Sequence, residues 1–290
     1  MDIYKIVTDR ICEEMKKGII PWQRPWKGAK MDGTTMAISY TSRRAYSFLN
    51  QMLLGEPGEY LTWNEVHKLG GKVNAGEKSR MVVFYSMVKK KATRVNDDGE
   101  EEEYTKQYPL LKYYNVFHLN QTSGIKSKIV AGEVVDMEQD VDLRCEGIIS
   151  HYLSIAEGLK FHNDKPSDKA YYSPSTDEVV VPMLSQYSHS GEYYSTTFHE
   201  LVHSTMPKER CDRVVENEGA YFGNHAYSRE ELVAEMGSAM LCAIGGVETE
   251  NTFKNSVAYI QSWIKHLQND PKMIVWAASR AEKAAAFIAG

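Results

Sequence analysis

The stretch FHELVH at residues 198–203 determines how the rest of the sequence is interpreted. Residues four apart share one face of an α-helix, so a helix here brings the imidazoles of His199 and His203 to one point. Glu200 is rotated from that face by roughly 100° and stands beside the point, where a carboxylate can take a proton from water and later deliver it to a leaving amine. The three apolar residues of the stretch are expected to bury the helix beneath the site. This favours a metal site over two surface histidines on an ordinary helix.

A third ligand is expected from a second helix, because a catalytic zinc site takes three protein ligands and leaves one position open. Residues 228–236 (SREELVAEM) supply the candidates. Glu231 and Glu235 share a face, so one can bind the metal while the other accepts the free N–H of a ligand histidine, and Glu230 is the fallback. Ser228 and Glu231 are also spaced as a capping box, in which Glu231 would only tie back to the helix start. Met206 occupies the glycine position that a third-histidine site requires, so the site is of the glutamate type.

Other parts of the metallopeptidase machinery are less well defined by the sequence. Residues 177–182 predict either an edge strand that pairs with an extended peptide or a simply buried strand. An oxyanion would need a Tyr or His donor, and nothing in the sequence chooses among Tyr221, His225 and Tyr227. His189 is a weaker candidate near the site.

Charge is unevenly distributed along the 290 residues, although the formal net charge is only −5. Residues 1–95 contain 17 Lys and Arg against 9 Asp and Glu, whereas residues 146–290 contain 12 against 19. The basic front interleaves cations with aromatic rings, the combination that grips single strands through phosphates and stacked bases. The composition alone is equally compatible with core aromatics and solvated lysines. The residues proposed to contact nucleic acid are Trp22, Arg24, Trp26, Lys27, Arg43, Arg44, Lys72, Lys78 and Arg80.

Length and residue patterning predict an α+β protein of two domains. An acidic, apolar-poor stretch at 137–145 places the boundary, giving domains at 1–136 and 137–290. The first is expected to be mixed α/β, and the second to combine a small sheet with active-site helices. No apolar run reaches the roughly 18 residues of a membrane span, no secretory leader is recognisable, and the four scattered cysteines favour reduced, buried thiols in the cytoplasm.

Motifs in both halves resemble those of the ArdC-type antirestriction proteins of plasmids, phages and other mobile elements. In the front half the resemblance rests on PWxxPW at 21–26, LTWNEV at 61–66, LGGxVxxGEK at 69–78 and YxVFxLxQTxG at 114–124. In the back half it rests on YxPxxD at 172–177, YYSTTF at 193–198 running into the histidine motif, and YSxEELVAE at 227–235. Two departures are His118, where asparagine is frequent, and the lack of a glycine after residue 203.

The resemblance implies a single-stranded-DNA-binding domain joined to a zincin-like metallopeptidase domain, with protection of incoming DNA from restriction. It implies His199, His203 and Glu231 as ligands of one Zn²⁺ per chain and Glu200 as the base, which leaves Glu235 to support a ligand histidine. The protein substrate is not defined. The competing hypotheses are a single-strand-binding protein whose metal is only structural, and a regulatory metalloprotease that cleaves a repressor.

Overall fold

The computed structural model describes residues 2–23, 35–95, 101–129, 141–213, 225–247 and 257–290. The front half contains three helices and six strands: α1 (Ile3–Lys16), β1 (Ala37–Ser39), α2 (Phe48–Leu54), β2 (Gly58–Thr62), α3 (Trp63–Lys68), β3 (Lys72–Val73), β4 (Arg80–Val95), β5 (Glu101–His118) and β6 (Thr122–Ser123). The back half contains α4 (Val141–Ile155), β7 (Lys160–His162), β8 (Tyr171–Ser173), β9 (Glu178–Val180), α5 (Ser190–Ser204), α6 (His225–Gly245), α7 (Val257–Asn269) and α8 (Met273–Ala289). The predicted α+β class is confirmed.

The front half is organised by a four-stranded sheet in the order β1-β2-β5-β4. Two consecutive residues of α2, Asn50 and Gln51, hydrogen-bond the backbone of the sheet's two edge strands through their side-chain amides. Asn50 bonds the backbone N–H and C=O of Val83 in β4, each at 2.8 Å. Gln51 does the same at 2.8 Å to Ala37 in β1. These amides satisfy edge groups that would otherwise lack a strand partner, and they bring both edges of the sheet to α2.

Strands β4 and β5 form a long antiparallel hairpin whose register runs from Arg80–Val116 to Val95–Glu101. The sequence is β-rich at 81–88 and 113–119, with Asp98-Gly99 inside an acidic run between them, and this pattern predicts a hairpin with an exposed, solvated tip. The strands extend much further toward that end than the β-rich segments, and Glu101–Glu103 pair with residues 93–95. The Asp98-Gly99 tip itself lies outside the described residues.

In the described residues, the back half combines five helices, α4 to α8, with a small sheet of order β7-β9-β8, and α5 packs against β8 and β9. α8 contacts α4, α5 and α6, and its small residues allow close packing, with Ala277, Ala281 and Ala284 fully buried. The sequence predicts short strands at 159–162, 170–173 and 178–181 and long helices at 193–205, 229–243, 257–268 and 272–288. All seven are confirmed, with ends that differ by at most four residues. In the described residues, no helix is both long and apolar enough to cross a membrane.

One hydrophobic cluster runs through both halves of the chain. It joins Val7, Ile11 and Met15 of α1 to the helices of the back half. Trp22 is fully buried and its ring meets that of Trp263 in α7 edge-on, at a centroid distance of 6.2 Å. Ile3, Val7, Ile11 and Met15 recur at helical spacing, which predicts one apolar face on α1. The structure confirms this face, which packs against α7 as well as the front half. Of the stretch 137–145 that was expected to mark the boundary, residues 137–140 lie outside the described ranges, and residues 141–145 form the start of α4 rather than a linker.

Candidate metal centre

Helix α5 carries the histidine motif, as the sequence predicts. Its apolar face, including Phe198, Leu201 and Val202, is fully buried, and this fixes the direction in which the histidines point. The helix ends at Ser204, where the hydroxyl groups of Ser204 and Thr205 return to backbone carbonyls one turn earlier. The two imidazoles meet with their Nε2 atoms 3.2 Å apart.

Glu231 of α6 completes a cluster of three donor groups. Its carboxylate oxygens lie 3.5 Å from Nε2 of His199 and 3.3 Å from Nε2 of His203. A zinc–nitrogen bond of about 2.0–2.1 Å in tetrahedral geometry requires ligand atoms roughly 3.3 Å apart, so these separations fit one divalent cation. Among the described residues, this is the only group of three or more potential ligands close enough to share an ion.

The close approach of α5 and α6 depends on a glycine. Gly237 lies against Val202, and a Cβ atom at position 237 would come within 2.7 Å of a Val202 methyl group. Ser238 adds a hydrogen bond of 2.8 Å to the carbonyl of Ser195 across the same interface. The contact holds the helix that carries Glu231 at the distance the histidines need.

Glu230 supports His203 from the side opposite the cluster. Its Oε1 lies 3.3 Å from Nδ1 of His203, and Arg213 donates to both of its oxygens at 2.7 and 2.8 Å. Arg213 is itself buried and also donates to the carbonyl of Val202. The prediction that Glu235 accepts the histidine N–H is wrong, because Glu235 instead accepts a hydrogen bond from the hydroxyl of Tyr259 in α7.

The capping-box alternative for Glu231 is also wrong. Helix α6 begins at His225, so Ser228 lies inside the helix rather than at its N-cap. Glu231 faces the histidines instead. The fallback ligand Glu230 occupies the supporting position described above.

Electrostatics tie the cluster together. Burial alone would lower the pKa of His203, but the hydrogen bonds and charges of Glu230 and Glu231 outweigh it and raise that pKa to about 10. Burial likewise opposes ionisation of Glu231, yet the two histidines hold its pKa far below the usual range. Protons therefore compete with a cation for His203, because a ligand imidazole must be neutral.

Glu200 stands beside the cluster in a desolvated position. Burial raises the pKa of its carboxyl group, although the nearby histidines act in the opposite direction. It also accepts a hydrogen bond from the backbone of Tyr172 in β8. A carboxylate with a raised pKa next to a prospective cation site is suited to accept and return a proton near neutral pH.

The edge strand of the small sheet beside the site is β8, whereas the strand predicted at 177–182 corresponds to β9. β9 lies between β7 and β8, with Val179 fully buried, so the buried-strand interpretation of residues 177–182 is correct. Asp177 anchors the β8–β9 hairpin to the end of α5 through a double hydrogen bond from Arg210, whose Nη1 also donates to the carbonyl of Ser204. Tyr172 adds its hydroxyl to Asp177 at 3.0 Å.

The candidate oxyanion donors stay undecided. Tyr221 lies outside the described residues, and His225 and Tyr227 belong to the first turn of α6, where only the backbone is described. His189 precedes α5, with its Nε2 3.6 Å from Glu192. Tyr259 was missed because no motif in the sequence marks it. Burial raises the pKa of its hydroxyl group, and the charges of Glu235 and Glu231 act in the same direction.

The residues proposed to contact nucleic acid are dispersed. Trp22 is in the core, so its placement in a DNA groove is corrected. Arg43 is engaged by Glu59, whose side chain is fully buried and also accepts from Ser127 at 2.6 Å. Arg80 bonds the carbonyl of Leu54 and pairs with Glu56 at 2.5 Å.

The remaining positions divide into two groups. Arg44, Lys72 and Lys78 are exposed and available to a ligand. Arg24, Trp26 and Lys27 lie outside the described residues.

Comparison with known proteins agrees with this architecture in both halves. Residues 1–117 match the N-terminal domain of the anti-restriction factor ArdC, and residues 152–280 match a family of zincin-like metallopeptidases. The whole chain is similar to crystal structures of the antirestriction ArdC protein from plasmid R388. The metal-free form gives a TM-score of 0.69 at 30% identity and the Mn(II)-bound form 0.68 at 28%, each over 99% of this chain and 97% of the other.

Longer proteins contain a similar region. Two DNA primases TraC of Escherichia coli are 29% and 26% identical over 97% of this chain, which spans only 26% and 19% of their lengths. The uncharacterized protein y4eC of Sinorhizobium fredii is 27% identical over 98% of this chain and 90% of its own. A front half that matches ArdC, a zincin-like back half and a 30% identical relative aligned end to end together give one conclusion: the chain belongs to the ArdC family of antirestriction proteins.

Proposed function

We propose that this protein binds single-stranded DNA and carries a metal-dependent peptidase site, and that it protects incoming mobile DNA from restriction. The observation that carries the peptidase proposal is the convergence of His199, His203 and Glu231 on one point, with the buried Glu200 beside it. Zinc is the proposed metal, one ion per chain, because two imidazoles and a carboxylate are its common catalytic ligands. The four buried, free thiols agree with action in the cytoplasm.

The chain's own residues define the chemistry. When bound, the cation polarises the scissile carbonyl and lowers the pKa of water. Glu200 accepts the proton of the attacking water and passes it to the departing amine nitrogen, a dual role that its raised pKa favours. Glu230 holds the Nδ1 side of His203, so that Nε2 faces the cluster.

The edge strand β8 is suited to position a peptide. One side of β8 pairs with β9, and Glu200 accepts a bond from the backbone of Tyr172. An extended substrate can add to the remaining edge by main-chain hydrogen bonds, which lays its backbone along the site without requiring a particular sequence. The protein substrate itself is a matter for experiment.

The DNA-binding proposal rests on the front half. Its match to the ArdC N-terminal domain and the similarity of the whole chain to parts of TraC primases support a DNA partner. The exposed cations Arg44, Lys72 and Lys78 and the half-exposed ring of Trp63 provide groups of the kind that bind phosphates and bases.

A Glu200→Gln variant tests the peptidase proposal. We expect it to bind metal as the parent does, measured by metal content after dialysis, and to lose cleavage of candidate host proteins incubated with the purified chain. Retained cleavage would remove Glu200 from the mechanism. Full antirestriction in cells carrying Glu200→Gln would support the alternative of a DNA-binding protein with a structural metal, whereas one specific cleaved repressor would support the regulatory protease.

A further inference from the structure

A large cleft lies where the front half meets α8, and it is separate from the metal centre. Its volume is about 730 Å³, within the range of small-molecule sites. Strand β4 and the loop before α2 form one wall, and α8 forms the other. Tyr4 of α1 closes one side.

Aromatic rings line both walls of this cleft. Phe84 and Tyr85 of β4 are 57% and 51% exposed. Successive residues of a strand point to opposite faces, so Tyr85, on the same face as the core residue Val83, is the one whose ring is directed toward α8. Across the cleft, the ring of Trp276 is half-buried, with the guanidinium groups of Arg280 and Arg229 lying 4.0 and 5.7 Å from its centroid. Tyr85 and Trp276 therefore offer aromatic surface from opposite sides of the cleft.

The cleft also concentrates positive charge. Arg44, Lys272 and Arg280 line it, and among the described lining residues Glu282 is the one carboxylic acid. Burial raises the pKa of Glu282, and its carboxylate oxygen lies 3.4 Å from the backbone N–H of Phe48. The cleft therefore favours an anionic ligand.

Arg280 indicates where such an anion would be held. Burial lowers the pKa of its guanidinium, and the charge of Arg213 acts in the same direction. In the described part of the chain, no carboxylate lies within ion-pair distance of Arg280, and its one recorded hydrogen bond goes to the carbonyl of Trp276 at 3.5 Å. A partly desolvated cation without a counter-ion is costly, and a phosphate group would offset that cost.

We propose that this cleft holds a nucleotide unit of single-stranded DNA, with a base against the rings of Tyr85 and Trp276 and a phosphate between Arg44, Lys272 and Arg280. The proposal rests on the proposed DNA-binding function and assigns it a place. Aromatic rings and flanking cations are the combination that single strands require, and such stacking tolerates any base. An acidic peptide would satisfy the cations but would leave the two rings without a matching partner.

The consequence is that the DNA site is built by both halves of the chain. Trp276 and Arg280 belong to α8, which packs against α5 and α6 of the metal centre. Arg280 also lies near enough to Arg213 and Glu230 for their charges to affect its pKa. A single strand in the cleft would therefore lie directly behind the residues that support His203.

Binding of a fluorescein-labelled dT20 to the full chain, measured by anisotropy at fixed salt, tests the proposal. Trp276→Ala should weaken binding about tenfold or more, since one stacked base contributes about 1–3 kcal/mol. Tyr114→Ala removes an exposed aromatic ring of the same hairpin outside the cleft and is the matched control. Arg280→Gln should flatten the salt dependence by about 0.7 in slope, the change expected when the protein neutralises one phosphate fewer on a single strand, whereas Arg10→Gln should not.

Photocross-linking locates the strand directly. A dT20 carrying 5-iodouracil should cross-link to peptides that contain Tyr85 or Trp276. Wild-type binding by Trp276→Ala, with cross-links elsewhere, would overturn the cleft assignment and leave the proposed DNA-binding function standing. No binding of dT20 by the parent chain would reject both. If an acidic peptide displaced dT20 while Trp276→Ala left the affinity for dT20 unchanged, the cleft would be assigned to a protein ligand and the proposal would be overturned.

Discussion

Glu230 links Arg213 to His203: its Oε1 lies 2.7 Å from Nη1 of Arg213 and 3.3 Å from Nδ1 of the imidazole. A carboxylate in this position fixes the orientation of a ligand histidine and increases its basicity. Arg213 donates to both oxygens, so the carboxyl group of Glu230 is fully hydrogen-bonded although its side chain is largely buried. The metal centre thus depends on a residue that lies outside the three-donor cluster.

Glu230→Ala should lower metal affinity about 10- to 100-fold, the usual effect of removing such a support. It leaves Nδ1 of His203 without its carboxylate and Arg213 as a buried, unpaired cation. Competition with a chromophoric chelator measures the affinity. Glu235→Gln is the control, because Glu235 bonds Tyr259 and does not support a histidine; an equal loss in both variants would contradict the assignment.

Gly237→Ala should push α6 away from α5, because the added methyl group would meet Val202 at 2.7 Å. We expect destabilisation of about 1–3 kcal/mol, typical of overpacking, together with weaker metal binding as Glu231 moves from the histidines. Urea unfolding and chelator competition measure the two effects. Gly147→Ala in α4 is the matched control, since a Cβ there meets nothing within 4 Å and should stabilise the helix by up to about 1 kcal/mol.

Asp177→Asn should cost about 2 kcal/mol of unfolding free energy near pH 7, because Arg210 would lose its charge-assisted hydrogen bonds. Hydrogen bonds from Arg210 hold the pKa of Asp177 below its ordinary value of 3.8. The folded-state pKa is depressed, so the stabilisation is present above the unfolded value and is lost as pH falls through the folded one. Urea unfolding between about pH 7 and pH 3 should show the difference between parent and variant shrinking with acid; a constant difference would count against this origin.

Trp22→Ala should destabilise the protein by about 3–5 kcal/mol, as expected for removing a buried tryptophan. Its ring packs on Trp263 and is fully buried, so any loss of DNA binding should follow the fraction unfolded. Urea unfolding and dT20 binding, measured on the same samples well below the unfolding midpoint, separate the two. Loss of binding by a fully folded variant would restore a direct role for Trp22.

The metal site was predictable because its ligands lie at fixed helical spacings. His199 and His203 share a face in any helix, and this follows from sequence alone. The sequence did not predict that Glu230 supports His203, since Glu230 and Glu235 both lie on α6 close to Glu231. Which of the two faces His203 depends on how α6 packs on α5 at Gly237 and Val202, a contact between two helices that no local pattern encodes.

The residues proposed to contact DNA were harder to predict because charge and aromaticity do not reveal burial. Trp22 and Arg43 were expected at the surface, yet one completes a core and the other neutralises the buried Glu59. Trp276 and Arg280 lie far along the chain in an acidic half, and only tertiary packing brings them to the basic front. The helices and strands were predicted well where apolar periodicity was strong.

Because one core runs continuously through α1, Trp22 and α7, we expect the two halves to unfold as a single cooperative unit. Cutting the chain near residue 137 would expose the apolar face of α1 and the ring of Trp263, so neither piece alone should unfold with the sharp transition of the whole. The same packing gives a reason why longer relatives such as the TraC primases match nearly the full chain within a fraction of their own length.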